Sequence, residues 1–259
     1  RSLEDAQIAF EKAKEYSRWV IVEQQIEGAD FRALVVNNKL IAVAKRIPAH
    51  VVGDGKKTIQ ALIDETNADP RRGYGHENVL TQIEIDNQTM RLLRAAGYEL
   101  DSVIPKGEEL FLKTTANIST GGTAIDLTDE VHPENVVLFE RIARIIGLDV
   151  AGIDVIATNV SEPLRENGGG IIEVNAAPGF RMHLAPSEGI GRNVAEHVID
   201  MLFPPGAPSR VPIFAITGTN GKTTTTRLIA HILRNSGHTV GFTTTDGTYI
   251  GNDKITKGD

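Results

Sequence analysis

Ile171-Ile172-Glu173-Val174-Asn175-Ala176-Ala177-Pro178-Gly179 opens as a strand, with the turn Gly168-Gly169-Gly170 just before it. Alternate residues of a strand share a face, so Glu173 and Asn175 project together. The apolar run Val150 to Ala157 supplies a second strand across the glycine turn, and pairing the two lets Asp154 join the same face. Two carboxylates and an amide oxygen form a hard-oxygen set suited to Mg2+ and phosphate. Three polar residues on a solvated sheet face would show the same spacing, and spacing alone does not separate the two readings.

Working outward, Pro133 to Ile146 has the spacing of an amphipathic helix closed by Gly147, and Glu188 to Phe203 reads as another helix. Upstream, Leu3 to Tyr16 has helical spacing, with Ser2 as N-cap. Trp19 to Val22 reads as a short buried strand. Phe31 to Val36 and Lys39 to Lys45 form a hairpin through Asn37-Asn38, because asparagine tolerates positive φ. Residues 47–117 carry two helix candidates, Thr58 to Asn67 and Asn87 to Ala96, around a turn-rich stretch from Asp69 to Gly75, and read as an insertion or lid.

Pro204-Pro205-Gly206-Ala207-Pro208 reads as a linker, so residues 1–203, 204–210 and 211–259 are expected to be domain, linker and second domain. Beyond it the expected order is strand Val211 to Thr217, glycine-rich loop, helix Thr223 to Ser236 and strand Thr239 to Thr245, the opening of a parallel α/β domain. The loop Thr217-Gly218-Thr219-Asn220-Gly221-Lys222-Thr223-Thr224 has the parts of a phosphate cradle. Gly218 and Gly221 allow close backbone approach, and the loop amides with the helix N-terminus offer donors. Lys222 adds a full charge for the β/γ-phosphates, and Thr223 is a Mg2+ ligand candidate. Ile216 stands where the common form of this loop has glycine, so that pattern is matched in part.

Composition narrows the function classes. The chain has 259 residues, a net charge of -7 and no cysteine, which excludes disulfides, zinc–thiolate sites and a cysteine nucleophile. The acidic balance and the lack of a basic block argue against nucleic acid as partner. No apolar stretch is long enough for a membrane helix, and no secretion signal is seen at the start.

Glu173 to Gly179, with Asp154, resembles the metal-and-substrate segment of ATP-grasp carboxylate–amine ligases. Asn117-Ile118-Ser119-Thr120-Gly121-Gly122 is similar to a glycine-rich stretch of the glutathione-synthetase-like members. Val22 to Arg32 resembles the hinge of the same family. The resemblance covers roughly residues 1–203. It implies an ATP-grasp fold, ATP and Mg2+ as cofactors, and Asp154, Glu173 and Asn175 as metal ligands. It further implies that Glu23, Gln24, Gln25 and Ile26 hold the adenine edge, that Asp30 bonds the ribose, and that Lys45 or Arg46 touches phosphate. Gly179 would donate its amide beside the reacting carboxylate. Arg181, whose planar fork suits carboxylates, would clamp the substrate, and His183 is a further candidate. Two departures stand out: the family's glycine-rich lid loop and phosphate-binding lysines would precede Arg1, and Gly152 occupies a position where one relative has arginine.

Ala215 to Thr224, followed by Thr243-Thr244-Thr245-Asp246-Gly247, resembles the ATP loop and next strand end of Mur ligases. By that match Gly218, Thr219, Asn220, Gly221, Lys222, Thr223 and Thr224 bind ATP, Thr223 also meeting the metal, and Lys222 assists chemistry. An ATP-grasp unit followed by a Mur-ligase-like unit is similar to ligases that extend a poly-aspartate backbone and attach arginine to its side chains. The resemblance implies aspartate, arginine and a polymer primer as substrates, a cytoplasmic homo-oligomer, and a chain that is a piece of a longer enzyme with little activity alone. The alternatives are another ATP-grasp ligase, such as a glutathione-synthetase-like enzyme, and a non-catalytic nucleotide-binding assembly module.

Overall fold

The computed structural model describes residues 3–75 and 78–258, which fall into two compact units, Arg1–Pro205 and Gly206–Asp259. Ser2, the expected N-cap, lies outside the described residues. The chain opens with helix α1 (Leu3–Lys14), none of whose residues is buried. Residues 19–22, expected as a buried strand, are irregular, with Trp19, Ile21 and Val22 exposed. No neighbouring strand pairs with them among the described residues, so the apolar run has no sheet to enter.

The first unit is built on β1 (Ala29–Val36) and β2 (Lys39–Ile47). Asn37 and Asn38 take φ of 49° and 61°, the left-handed geometry of a two-residue hairpin turn. After β3 (His50–Val52) come α2 (Ile59–Asn67), β4 (Arg72–Gly73), β5 (Leu80–Thr81), α3 (Asn87–Ala95) and β6 (Glu109–Phe111). Then follow β7 (Thr123–Asp126), α4 (Pro133–Ile146), β8 (Val150–Ala157), β9 (Gly170–Asn175), α5 (Arg181–Leu184) and α6 (Val194–Leu202). The main sheet is antiparallel, in the order β7-β2-β1-β8-β9. Helix α6 is shorter than expected. Gly189 sits at φ 87° and the Arg192 side chain is drawn to Asp126 and Asp129, so helical geometry begins only after Asn193.

One face of the sheet packs Phe31, Val43, Ile153 and Val155 against Phe139 and Ala143 of α4. The other face is divided. At one end Leu34, Val36 and Ala42 are covered by Val194 and Val198 of α6. At the other end Asp30, Arg32, Arg46 and Asp154 carry the same face into an open cleft. A separate cluster of Ala49, Ile59, Leu62, Ile63, Leu93, Ile104 and Leu112 lies wholly within the segment read as an insertion.

In the second unit, α7 (Lys222–Asn235) is followed by β10 (Gly241–Thr244), β11 (Gly247–Ile250) and β12 (Asp253–Lys257), an antiparallel meander. Two expectations are corrected here. Val211 to Thr217 forms no strand, and the sheet that does form is not parallel. Val211, Ile213 and Phe214 are exposed, with no strand alongside among the described residues to accept their amides.

Candidate functional site

The cleft of the first unit has a volume of about 370 Å3. Its floor follows from strand pairing. Asp154 on β8 lies directly opposite Arg32 on β1 and Glu173 on β9, and Gly152 lies opposite Asn175. The register of β8 with β9 shifts beside Asp154, leaving Ile172 as an extra residue that also lines the cleft. Asp154, Glu173 and Asn175 therefore line one cleft, as their spacing suggested.

Asp154 is held by two guanidiniums. Arg32 grips it through two nitrogens, Nε to Oδ1 and Nη2 to Oδ2 at 3.1 Å, and Arg46 Nη2 stands 3.2 Å from Oδ2. Arg46 also donates from Nε to Asp30 at 2.7 Å. Both arginines are buried, so four charges of alternating sign share a half-dry sheet face. Burial raises the Asp30 pKa against the opposing pull of Arg46. Space above Gly152 is already taken: a Cβ there would stand 2.5 Å from Pro178 Cβ and 3.1 Å from Arg32 Nη1. Arg32 thus fills the region above the position where one relative carries arginine, and sequence reasoning did not assign it a role.

Lys45 falls elsewhere. It pairs with Phe31 and Ile125, so it lies on the α4 face, opposite to Arg46. Glu23, Gln24, Gln25 and Ile26 lie in an irregular segment before β1, Ile26 alone of the four being half-buried. Arg181, the first residue of α5, donates to the Asn78 carbonyl at 3.0 Å and lies 3.5 Å from the Thr81 hydroxyl. Space around Gly179 is open. His183 is fully buried, away from the cleft lining, and burial lowers its pKa to about 4.

In the second unit Gly221 takes φ 78° and starts α7. Lys222 curls back, its Nζ donating to the Gly218 carbonyl at 2.6 Å, with Thr219 O at 3.5 Å. Those carbonyls occupy the ammonium that a phosphate would take. Asn220 and Thr224 are exposed and Thr223 half-buried beside them. Asp246 accepts from Thr244, from Tyr249 at 2.7 Å and from Arg227 of α7; the Thr244 bond is the largest of the effects that hold its carboxyl well below the usual range.

The Mur ligase middle domain model matches residues 216–259. Over its whole length the chain is 60% identical to cyanophycin synthetase of Synechocystis sp. and 59% identical to that of Trichormus variabilis. It spans about 30% of the length of these curated relatives. The bifunctional glutathione biosynthesis protein GshAB of Clostridium perfringens is 33% identical over 78% of this chain and 26% of its own. A crystal structure of a bifunctional glutathione synthetase from Pasteurella multocida superimposes with a TM-score of 0.61 at 34% identity, covering 70% of this chain and 25% of that one.

Proposed function

We propose that this chain is a segment of a cyanophycin-forming ligase, which uses ATP to extend a poly-aspartate backbone and to attach arginine to its side chains, releasing ADP. One observation carries the reading: the chain is 60% identical to cyanophycin synthetase along its whole length. Residues 1–203 would belong to an ATP-grasp unit with a lid at about 47–117. Residues 204–210 would link it to a Mur-ligase-like ATP unit at 211–259.

A carboxylate is a poor electrophile, and phosphorylation gives it a leaving group that an amine then displaces. The task left to the protein is positioning and charge stabilisation. The donor set of Asp154, Glu173 and Asn175 fits Mg2+, which takes few protein oxygens and keeps phosphate and water around itself. In the second unit Thr223 is the matching ligand. Mg2+ bound there supplies charge neutralisation for the phosphates. Arg32 and Arg46 face the same cleft, and phosphate oxygens arriving there compete with Asp154 for their donors. Lys45 is on the wrong face for this role, and Arg46 takes it. Arg181 and the Gly179 amide would orient the carboxylate end of the primer, Glu23 to Ile26 the adenine, and Asp30 the ribose.

The test is ADP release by the full-length parent enzyme with a short primer and either aspartate or arginine added singly. Release that depends on each amino acid is expected. Lys222→Ala should lower the arginine-dependent part by roughly 100-fold or more, as loss of a preorganised charge donor does. Glu173→Gln should lower the aspartate-dependent part comparably. Release that ignores both amino acids, or that responds to cysteine instead, sinks the substrate assignment.

A further inference from the structure

A second cavity of about 360 Å3 lies outside the cleft, lined by His50, Leu62, Glu65, Thr66, Arg72 and Thr123 among others. Arg72 sets its character. The residue is 9% exposed, and its two hydrogen bonds leave from a single nitrogen, Nη1, to the carbonyls of Thr81 (2.6 Å) and Gly121 (3.0 Å). Both acceptors are neutral. Asp69, the nearby carboxylate in sequence, is held by its neighbour Arg71. Among the described residues, the other two buried arginines, Arg32 and Arg46, each have a carboxylate within ion-pair distance. A guanidinium taken out of water with no carboxylate in ion-pair contact, only the attraction of the Asp69 charge already shared with Arg71, is costly, and the donors on Nε and Nη2 remain for a ligand. Their fork geometry matches a carboxylate.

The rest of the lining narrows the ligand. Among the described residues, Glu65 is the one acidic residue lining the cavity. It is exposed and engaged only at the surface, with Lys57 at 2.7 Å. Leu62 and Val51 give an apolar stretch to the wall. A fitting guest carries a carboxylate at one end, a cation at the other and methylenes between. Free arginine is a poor match, because its α-ammonium would be delivered beside Arg72. Arginine joined through its α-amine has lost that charge and keeps its carboxylate and guanidinium. The loop residues Thr114 to Asn117 line the cleft, and Gly121 and Thr123, just further along the same chain, line this cavity.

We propose that this cavity is a subsite for an arginine-bearing side chain of the growing polymer, with Arg72 taking the free carboxylate and Glu65 taking the guanidinium in place of Lys57. The inference rests on the polymer-forming function proposed above. It gives the inserted segment a task separate from the chemistry, that of holding product already made.

Aspartate-dependent ADP release by the full-length parent enzyme tests it, with three primers: one carrying arginine with free carboxylates, one with those carboxylates methylamidated, and one carrying citrulline. In the wild type, amidation should raise the primer KM about ten-fold, the loss falling on KM rather than kcat. Arg72→Gln should raise the KM for the free-carboxylate primer to that same level and abolish the difference between the two, and Arg72→Lys should restore part of it. Because Arg72 also ties two carbonyls, Glu65→Gln at the exposed rim is the independent variant. It should raise KM several-fold for the arginine primer and leave the citrulline primer unaffected. Wild-type primer KM in both Arg72→Gln and Glu65→Gln overturns the subsite. So does competition by free arginine as strong as by Nα-acetylarginine. Absence of aspartate-dependent release in the wild type would overturn the functional reading itself.

Discussion

His183 shows how a single buried group shapes the pH range of the fold. It is 1% exposed and neither ring nitrogen has a hydrogen-bond partner. Burial, with repulsion from Arg32, lowers its pKa to about 4. The imidazole is therefore neutral in the native protein and becomes protonated more readily once unfolded, near pH 6.5. Stability from this difference is fully present above pH 6.5 and is lost as pH falls through about 4, amounting to at most about 3 kcal/mol. His183→Leu, close in volume and without buried polar atoms, should keep or raise stability at pH 7 and flatten the decline between pH 6.5 and 4. Urea melts at pH 7, 5.5 and 4.5 measure both effects. An unchanged acid decline in the variant would rule out His183 as its source. The sequence offered His183 as a lesser substrate-ligand candidate because, with Arg181, it follows the metal segment, although a lone histidine is more often structural. Nothing in that spacing reports that α5 turns the ring inward.

At the scale of elements, the instructive case is the hairpin of β1 and β2. The turn at Asn37-Asn38 was legible, and Lys45 or Arg46 was the phosphate candidate by resemblance; a regular two-residue hairpin would have set Lys45 opposite Asp30. The observed register shifts between Leu34 and Val35, so that Arg46 pairs with Asp30 and Lys45 with Phe31. A one-residue bulge sends every later side chain to the other face, and no local pattern announced it. The pairing of Asp154 with Glu173 was readable because strand alternation and one glycine turn sufficed. Arg32 was not, since its role depends on contacts across β8. Gly152 reports on that contact. Gly152→Ala should press on Arg32 beside Asp154 and cost about 1–3 kcal/mol through overpacking against Pro178. Denaturant melts of the variant would show the cost, and a wild-type midpoint would mean that the cleft yields freely. Helix α3 has a separate weak point. Its N-cap Asp86 accepts from Thr89 and pairs with the buried Lys113 at 2.7 Å. Asp86→Ala should cost about 2 kcal/mol, combining a lost cap with a stranded ammonium. Asp86→Asn, which keeps the cap, should cost less, and equal losses in the two would assign the whole effect to the ion pair.

Across the whole molecule, the proline-rich break was visible in the sequence, and the division into compact units falls beside it, at Pro205 and Gly206. The second unit was harder to anticipate. Its loop and helix follow from glycine, lysine and threonine at fixed offsets, but a strand at 211–217 requires neighbours that local sequence does not supply. The same logic predicts where the chain is open to attack. Proteases need an exposed segment that can leave its hydrogen bonds, and two irregular stretches with basic residues are the first expected targets, ahead of short exposed turns such as those at Lys106 and Arg165. One is the stretch from Lys12 to Arg18, at the end of a helix without buried residues and in the irregular chain beyond it. The other is Arg210, exposed in the irregular stretch that opens the second unit. Lys45, Arg46, Arg72 and Lys113 sit on paired or buried backbone and should resist. Limited trypsin digestion followed by intact-mass measurement should therefore first yield cuts after Arg210 and within residues 12–18. A stable product near residues 19–210 should accumulate. Early cleavage at Arg71 or Arg72 instead would mean that the inserted segment opens more readily than its core of Ile59, Ile63, Leu93 and Leu112 implies.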